Sequence, residues 1–310
     1  MSGEHHNHAP ASFGRAFAIG ISLNLGFVLV EAFYGWRTGS LALLADAAHN
    51  LSDVAGLLLA WAAFAAVQIK PNRRHTYGWR RGSILASFIN AIVLLVAMGS
   101  LLWEAIQRLQ QPAAIDAPTV MLVAGIGVMI NSITAWLFVA GSRHDLNIRG
   151  AFLHMAADAL VSAGVVVAGA LYLWREWSWI DPAVSIGIAL VIIVGTWSLF
   201  RRSLHLLFDG VPEGIDIDQL HDSLLALPNV LAVHDLHVWA MSTTENALTA
   251  HLICKECAAN QNALLREAGA MLRDDYGIQH STLQCESRDF AEDCTNNQEY
   301  CRLDNNQERR

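Results

Sequence analysis

Charge is scarce in this chain, and cysteine is missing from its first 253 residues. Only 15% of the 310 residues are charged while 54% are hydrophobic, which excludes a disordered chain and an ordinary water-soluble domain and indicates a membrane protein. The late cysteines, at 254, 257, 285, 294 and 301, exclude thiolate chemistry from everything before them. No H-E-x-x-H occurs, so an intramembrane metalloprotease of that signature is excluded, and no other nucleophile and base constellation stands out. The chain therefore does not read as an enzyme. The first apolar run lacks the ordered charged region, short apolar core and small-residue cleavage site of a signal peptide, so it is expected to be a retained helix. The formal net charge of −8 comes largely from the acidic C-terminal region, which argues against nucleic acid as a partner.

What the chain has in abundance is long apolar runs. Candidate spans lie at 13–35, 40–68, 83–107, 118–140, 149–174 and 181–200, each near the ~20 residues that cross a bilayer core. Arg15, then Lys70, Arg73, Arg74, Arg80 and Arg81, then Arg143 and Arg149, then Arg201 and Arg202 fall on one side of such a bundle. Arg37, Arg108 and Arg175 fall on the other, so both termini are expected to be cytoplasmic. All five cysteines then lie in a reducing compartment, where metal binding is favoured over structural disulfides.

After Asp209 the pattern changes. "IDIDQLHDSLLAL" has helical spacing, "VLAVHDLHVWAM" and "ALTAHLIC" are rich in strand formers, "NQNALLREAGAMLRDDY" is amphipathic, and "HSTLQCE" reads as a short last strand. The expected organisation is a cytoplasmic N-terminus at 1–12, a transmembrane domain at 13–209, a soluble α-β-β-α-β domain at 210–287 and a mobile polar tail at 288–310.

The second span spends its length oddly. "LLADAAHNLSDVAGLLLA" carries Asp46, His49, Asn50 and Asp53 in a segment otherwise suited to lipid. His49 and Asp53 are four apart and share one helix face, and "AFLHMAADALVSAG" repeats the H-x-x-x-D with His154 and Asp158. One such pair reads equally as a hydrogen-bonded helix pin. Two pairs, flanked by Ala47, Ala48, Ala156 and Ala157, supply the four-coordinate N/O set that Zn²⁺ accepts. Lipid penalises these groups, so they are expected to face protein or a water-filled path and to mark an ion site. Asp46 and Asn50 lie beside that face, as packing groups or as lining of an access path.

"SLALLADAAHNLSDV", "HTYGWRRGSILASFIN", "GAFLHMAADALVSAGVVVAG", "DPAVSIGIAL", "LLFDGVP", "VHDLHVWAM" and "HSTLQCE" occur in order, and together they resemble the cation diffusion facilitator family, specifically its bacterial zinc exporters and the related vertebrate zinc transporters. The resemblance spans about 13 to 286. It implies an all-α six-helix transmembrane domain plus a small α+β (α-β-β-α-β, metallochaperone-like) cytoplasmic domain, assembled as a homodimer in the bacterial inner membrane. It also implies export of Zn²⁺ against inward proton flow through His49, Asp53, His154 and Asp158. Histidine in the first position of both motifs resembles the zinc-selective type, in keeping with the softness of imidazole; Co²⁺, Cd²⁺ and Fe²⁺ remain alternative cargoes. A membrane metal sensor without flux is the rival of a different class.

The resemblance also implies regulatory zinc in the cytoplasmic domain. His234 and His251 match ligand positions there, with Glu286 and Gln284 near a further one. Cys254 and Cys257 form a C-x-x-C beside these strands, which reads as a metal site more readily than as a redox pair. Cys285 is a further candidate that strand alternation turns to the opposite face from Glu286, and His237 reads as structural. His5, His6 and His8 of "EHHNH", together with Cys294 and Cys301, either collect zinc or are solvated termini without a role. His75 alone represents the loop position where some family members hold an extra metal. The family further pairs an acidic residue at the end of the last span with a basic residue at the start of the third. Asp209 is that acid here, and Arg80 and Arg81 are its candidate partners.

Overall fold

The computed structural model describes residues 13–67, 69–111, 114–139, 146–255 and 261–288. Six long helices come first: α1 (Phe13–Thr38), α2 (Leu41–Val67), α3 (Gly82–Gln110), α4 (Ala117–Val139), α5 (Leu146–Arg175) and α6 (Ile180–Leu207). Four stretches are long and apolar enough to cross a membrane among the described residues: Gly82–Gln110, Ala117–Trp136, Phe152–Arg175 and Ile180–Leu207. The other two helices, α1 and α2, carry Glu31, Asp46, His49 and Asp53.

Contacts divide the chain into two compact units, one holding residues up to Leu59 with Ile89–Phe200, the other holding Ala60–Phe88 with the chain from Arg201 onward. In the first, small residues let the helices approach closely. A Cβ on Gly127 of α4 would stand 2.7 Å from the Phe27 ring of α1 and 3.3 Å from Ser162 Oγ of α5, so only glycine permits this three-helix approach. Leu43, Met98, Ala124, Val165 and Ala189 are among the buried core residues. Trp36, Leu122, Trp136, Leu160, Val191 and Val194 point outward instead, as expected of a surface whose solvent is hydrocarbon.

The turn between α1 and α2 is fixed from a distance. Gly39 adopts a φ of +71°, the left-handed conformation glycine tolerates. Ser40 Oγ donates to Asp181 Oδ1 at 2.6 Å, Leu41 N donates to Asp181 Oδ2 at 3.0 Å, and Leu43 N donates to Ser40 Oγ at 3.3 Å. Asp181, in the first turn of α6, thus caps the otherwise orphaned N–H groups that begin α2.

In the second unit α7 (Ile217–Leu225), β1 (Val230–Ala240), β2 (Asn246–Cys254), α8 (Gln261–Asp274) and β3 (Ile278–Glu286) follow. The sheet order is β1-β2-β3. β1 and β2 are antiparallel, whereas β2 and β3 are parallel, a pairing that needs the α8 crossover. Asp216 starts α7 by accepting from Asp218 N and Gln219 N. Leu220, Leu224, Leu248, Leu252, Leu272 and Ile278 build the core of this unit. The sheet register sets His234 opposite His251 and pairs Ile253 with Glu286.

Candidate metal centre

The α2 and α5 motifs meet. His49 Nε2 lies 3.7 Å from Asp53 Oδ2 and 3.5 Å from Asp158 Oδ1, and His154 Nε2 lies 3.2 Å from Asp53 Oδ2 and 3.7 Å from Asp158 Oδ2. One donor atom from each of the four residues lies within 4.8 Å of all the others. A tetrahedral Zn²⁺ with bonds of ~2.0–2.1 Å has ligand–ligand edges of about 3.3 Å, and the four imidazole–carboxylate spacings lie within tenths of an ångström of that edge. The imidazole planes cross at 82° with centroids 6.0 Å apart, so both present a nitrogen to the same point without stacking.

Each donor owes its position to helix geometry. The i, i+4 spacing stacks imidazole above carboxylate on one face of each helix. Asp158 is the most buried of the four, its side chain 3% exposed, and each of its oxygens faces one imidazole. His49, Asp53, His154 and Asp158 line a cavity of about 930 Å³ together with Asn50 and Asn90. Asn90 Nδ2 donates to Ser52 Oγ at 3.1 Å and so ties α3 to α2 beside the cavity. Two carboxylates and two imidazoles in an apolar bundle can hold a divalent cation with no net charge left on the site.

The sheet of the second unit carries a smaller cluster of His234, His251 and Glu286. His234 Nε2 is 3.0 Å from Glu286 Oε2, and His251 Nδ1 is 2.8 Å from Glu286 Oε1 without the alignment of a hydrogen bond. The rings are 5.0 Å apart and cross at 82°. Asp235, which no spacing in the sequence singles out, adds Oδ2 at 3.6 Å from His251 Nε2 and Oδ1 at 2.9 Å from His237 Nε2. Its φ of +51° and the register shift between His234 and His237 mark a bulge, which re-aims a side chain that plain alternation would send to the other face. Gln284 Nε2 donates to Glu286 Oε1 at 2.8 Å and so supports the carboxylate.

The structure does not bring Cys254 or Cys285 to this cluster. Cys254 is buried in the hydrophobic core with its Sγ 3.5 Å from Leu252 O, and Cys285 packs against the same core. Successive strand residues point to opposite faces, so His251 and Glu286 stand on one face and Cys254 and Cys285 on the other. Cys257, Cys294, Cys301, His5, His6 and His8 lie outside the described residues. His75 stacks on Trp79 with ring centroids 4.4 Å apart and belongs to no metal-competent group among the described residues.

The two arginines at the start of α3 separate. Arg81 pairs with Asp209, both side chains more than half exposed at 53% and 57%. Arg80 instead reaches Glu245 at 2.9 Å, beside a hydrogen bond from Thr243 N to Ser83 Oγ at 3.1 Å. Asp209 has a φ of +56°.

Residues 17–208 match the cation efflux transmembrane domain and residues 212–288 match the cytoplasmic domain of cation efflux proteins. The chain belongs to the cation diffusion facilitator family. This facilitator is 38% identical over 272 residues to the zinc transporter ZitB of Escherichia coli, covering 87% of this chain and 86% of that one. It is 33% identical over 301 residues to the cadmium, cobalt and zinc/H(+)-K(+) antiporter of Bacillus velezensis, covering 94% and 95%. Among solved structures, the metal-bound C-terminal domain of the CzcD transporter from Cupriavidus metallidurans shares 33% identity, covers 23% of this facilitator and 99% of that chain, and has a TM-score of 0.22. The facilitator is thus a member of a family of membrane metal transporters.

Proposed function

We propose that the chain exports Zn²⁺ from the cytoplasm in exchange for protons, with His49, Asp53, His154 and Asp158 as the transport site. The observation that carries this reading is the set of four N/O donors at near-tetrahedral spacing, inside an apolar bundle and on the wall of a cavity. The six long helices cross the bacterial inner membrane as six spans with both termini cytoplasmic, and the protein works as a homodimer whose cytoplasmic domains bind regulatory zinc at His234, His251 and Glu286. Relatives named for zinc, cadmium and cobalt support a divalent cargo, and a relative named an H(+) antiporter supports the counter-ion. Cd²⁺ and Co²⁺ are accordingly secondary cargoes of the same site.

Exchange follows from the donor chemistry. Metal requires neutral imidazole and ionised carboxylate, so a proton and a dication compete for the same atoms. Unperturbed histidine titrates near 6.5, and the apparent zinc affinity of the transport site is therefore expected to fall as pH drops from about 7.5 to 6, with up to two protons displaced by each ion at the imidazoles. Equilibrium zinc binding across that range measures it; a flat affinity removes both imidazoles from the coordination set. The reading as a whole is tested with the full chain in proteoliposomes loaded with a zinc-sensitive dye. Uptake must depend on an imposed pH gradient, and zinc bound without flux would make the protein a sensor.

Asp209 and Arg81 join the end of α6 to the start of α3. Asp209→Arg is expected to lower zinc flux, and Arg81→Asp in the same chain to restore part of it. Arg80→Asp is expected not to restore it, because Arg80 is engaged with Glu245. An exposed pair contributes only ~0–1 kcal/mol, so the flux loss is expected to be several-fold rather than complete. Equal failure of both double variants, with Arg81→Asp harmless on its own, would assign Arg81 to lipid anchoring.

A further inference from the structure

Glu31 of α1 and Asp46 of α2 are both 0% exposed, and neither belongs to the metal-competent group. Glu31 Oε2 accepts from Asn50 Nδ2 at 3.3 Å, and Asp46 Oδ2 accepts from Ser162 Oγ at 2.7 Å. The remaining oxygens, Glu31 Oε1 and Asp46 Oδ1, are buried and receive no donor, while the two carboxyl groups lie within hydrogen-bonding reach of each other. The groups facing the pair are His49 and Asn50 on α2 and Asp158 and Ser162 on α5. On α4, which packs here through Gly127, the polar residue one turn on is Asn131, itself buried with an unpartnered Nδ2. Among the described residues neither carboxyl forms an ion pair with a lysine or arginine.

Two buried carboxylates this close cannot both stay ionised in an apolar bundle without a cation, so one of them holds a proton that the other can share. The proton is therefore implied by the geometry. Its place is informative. Asp46 precedes His49 by three residues, about 4.5 Å along the helix, and Ser162 follows Asp158 by one turn. The pair lies on the side of the metal centre nearer the α1–α2 turn, which in the proposed topology is the side away from the cytoplasm.

We propose that Glu31 and Asp46 form a proton-binding site, separate from the four metal donors, that holds one proton more when the metal centre is empty than when a dication fills it. The arriving ion brings two positive charges within about one helical turn, where the low dielectric makes their field strong. The O–H bond of the shared proton then breaks and the proton passes to solvent, leaving the pair more negative. Loss of the ion reverses the step. This rests on the proton exchange proposed above, to which it adds a proton that is not carried on the metal donors.

The test counts protons. Calorimetric zinc titration of the purified full chain in two buffers of different ionisation enthalpy gives the number released per ion bound. Glu31→Gln keeps the shape and supplies an amide N–H toward Asp46 Oδ1 in place of the shared proton. It is expected to bind zinc while releasing about one proton fewer than the wild type, and Asp46→Asn is expected to do the same. In the wild type, zinc should also remove an infrared carbonyl absorption of a protonated carboxyl, and this change should be missing from both variants. Proton counts equal to wild type in both variants, or no loss of that absorption on adding zinc to the wild type, would overturn the proposal. The infrared result needs no variant, so it decides even if a substitution prevents folding. Gradient-driven flux in the wild type with unchanged proton counts in the variants refutes this site alone, whereas wild-type flux indifferent to the gradient refutes the exchange reading itself.

Discussion

Asp158→Ala is expected to abolish zinc flux in proteoliposomes while leaving a chain that purifies as a single folded species. Asp158 turns one oxygen to His49 at 3.5 Å and the other to His154 at 3.7 Å, so it is the carboxylate that joins the two motifs. Without it the site retains two neutral imidazoles and one carboxylate, and a dication there keeps an uncompensated positive charge in an apolar bundle. Loss of a partner behind a ligand already costs ~10–100-fold in metal affinity, and loss of the ligand itself exceeds that. Folding is expected to survive because the substitution removes a buried charge and leaves the apolar packing around it in place. Asp158→Asn separates shape from charge: it retains an oxygen in nearly the same position and is still expected to lose at least tenfold in flux. Wild-type flux in Asp158→Ala would remove this site from the mechanism.

The parts of the molecule that were legible in the sequence are those governed by local periodicity. The apolar run at 118–140 becomes α4 at Ala117–Val139, and the run at 83–107 becomes α3 at Gly82–Gln110. The helices overrun the apolar segments where polar residues continue the backbone hydrogen bonding, as α6 does through Arg201 and Arg202 to Leu207. The H-x-x-x-D pairs were visible because both members of each lie on one helical turn; that the two pairs face one another depends on how α2 and α5 pack. Asp235 was hidden because a bulge overrides the two-residue period. The Glu31–Asp46 contact was hidden because it joins two helices at positions no motif relates, and the Ser40–Asp181 cap bridges 141 residues. Cys254 looked like a metal ligand by its C-x-x-C spacing, yet the alternation that places His251 on the polar face sends Cys254 into the core.

Glu286→Ala is expected to remove the zinc site of the cytoplasmic domain and to weaken that domain even without zinc. The carboxylate is buried and faces both imidazoles, His234 at 3.0 Å and His251 at 2.8 Å. Its loss leaves the buried His234 ring without its hydrogen-bond partner, at ~1–3 kcal/mol for an unsatisfied buried polar group, and takes the facing charge from His251. It also removes one of only three donors that come together in the described residues of this domain. Zinc held at the proposed site is expected to stabilise the wild-type fold by binding the native state alone, by about 2.7 kcal/mol at a hundredfold excess over the dissociation constant, and this increment is expected to vanish in the variant. The proposed transport site would mask the stoichiometry, so the measurement belongs in the Asp158→Ala background, by equilibrium dialysis of the full chain. One ion per chain is expected to remain there, and adding Glu286→Ala is expected to remove it. Glu286→Gln distinguishes the two effects: the amide donates to one imidazole acceptor and restores most of the stability, but it offers zinc no charge, so the ion stays lost. An ion retained in the Asp158→Ala, Glu286→Ala chain would move the cytoplasmic site to other donors.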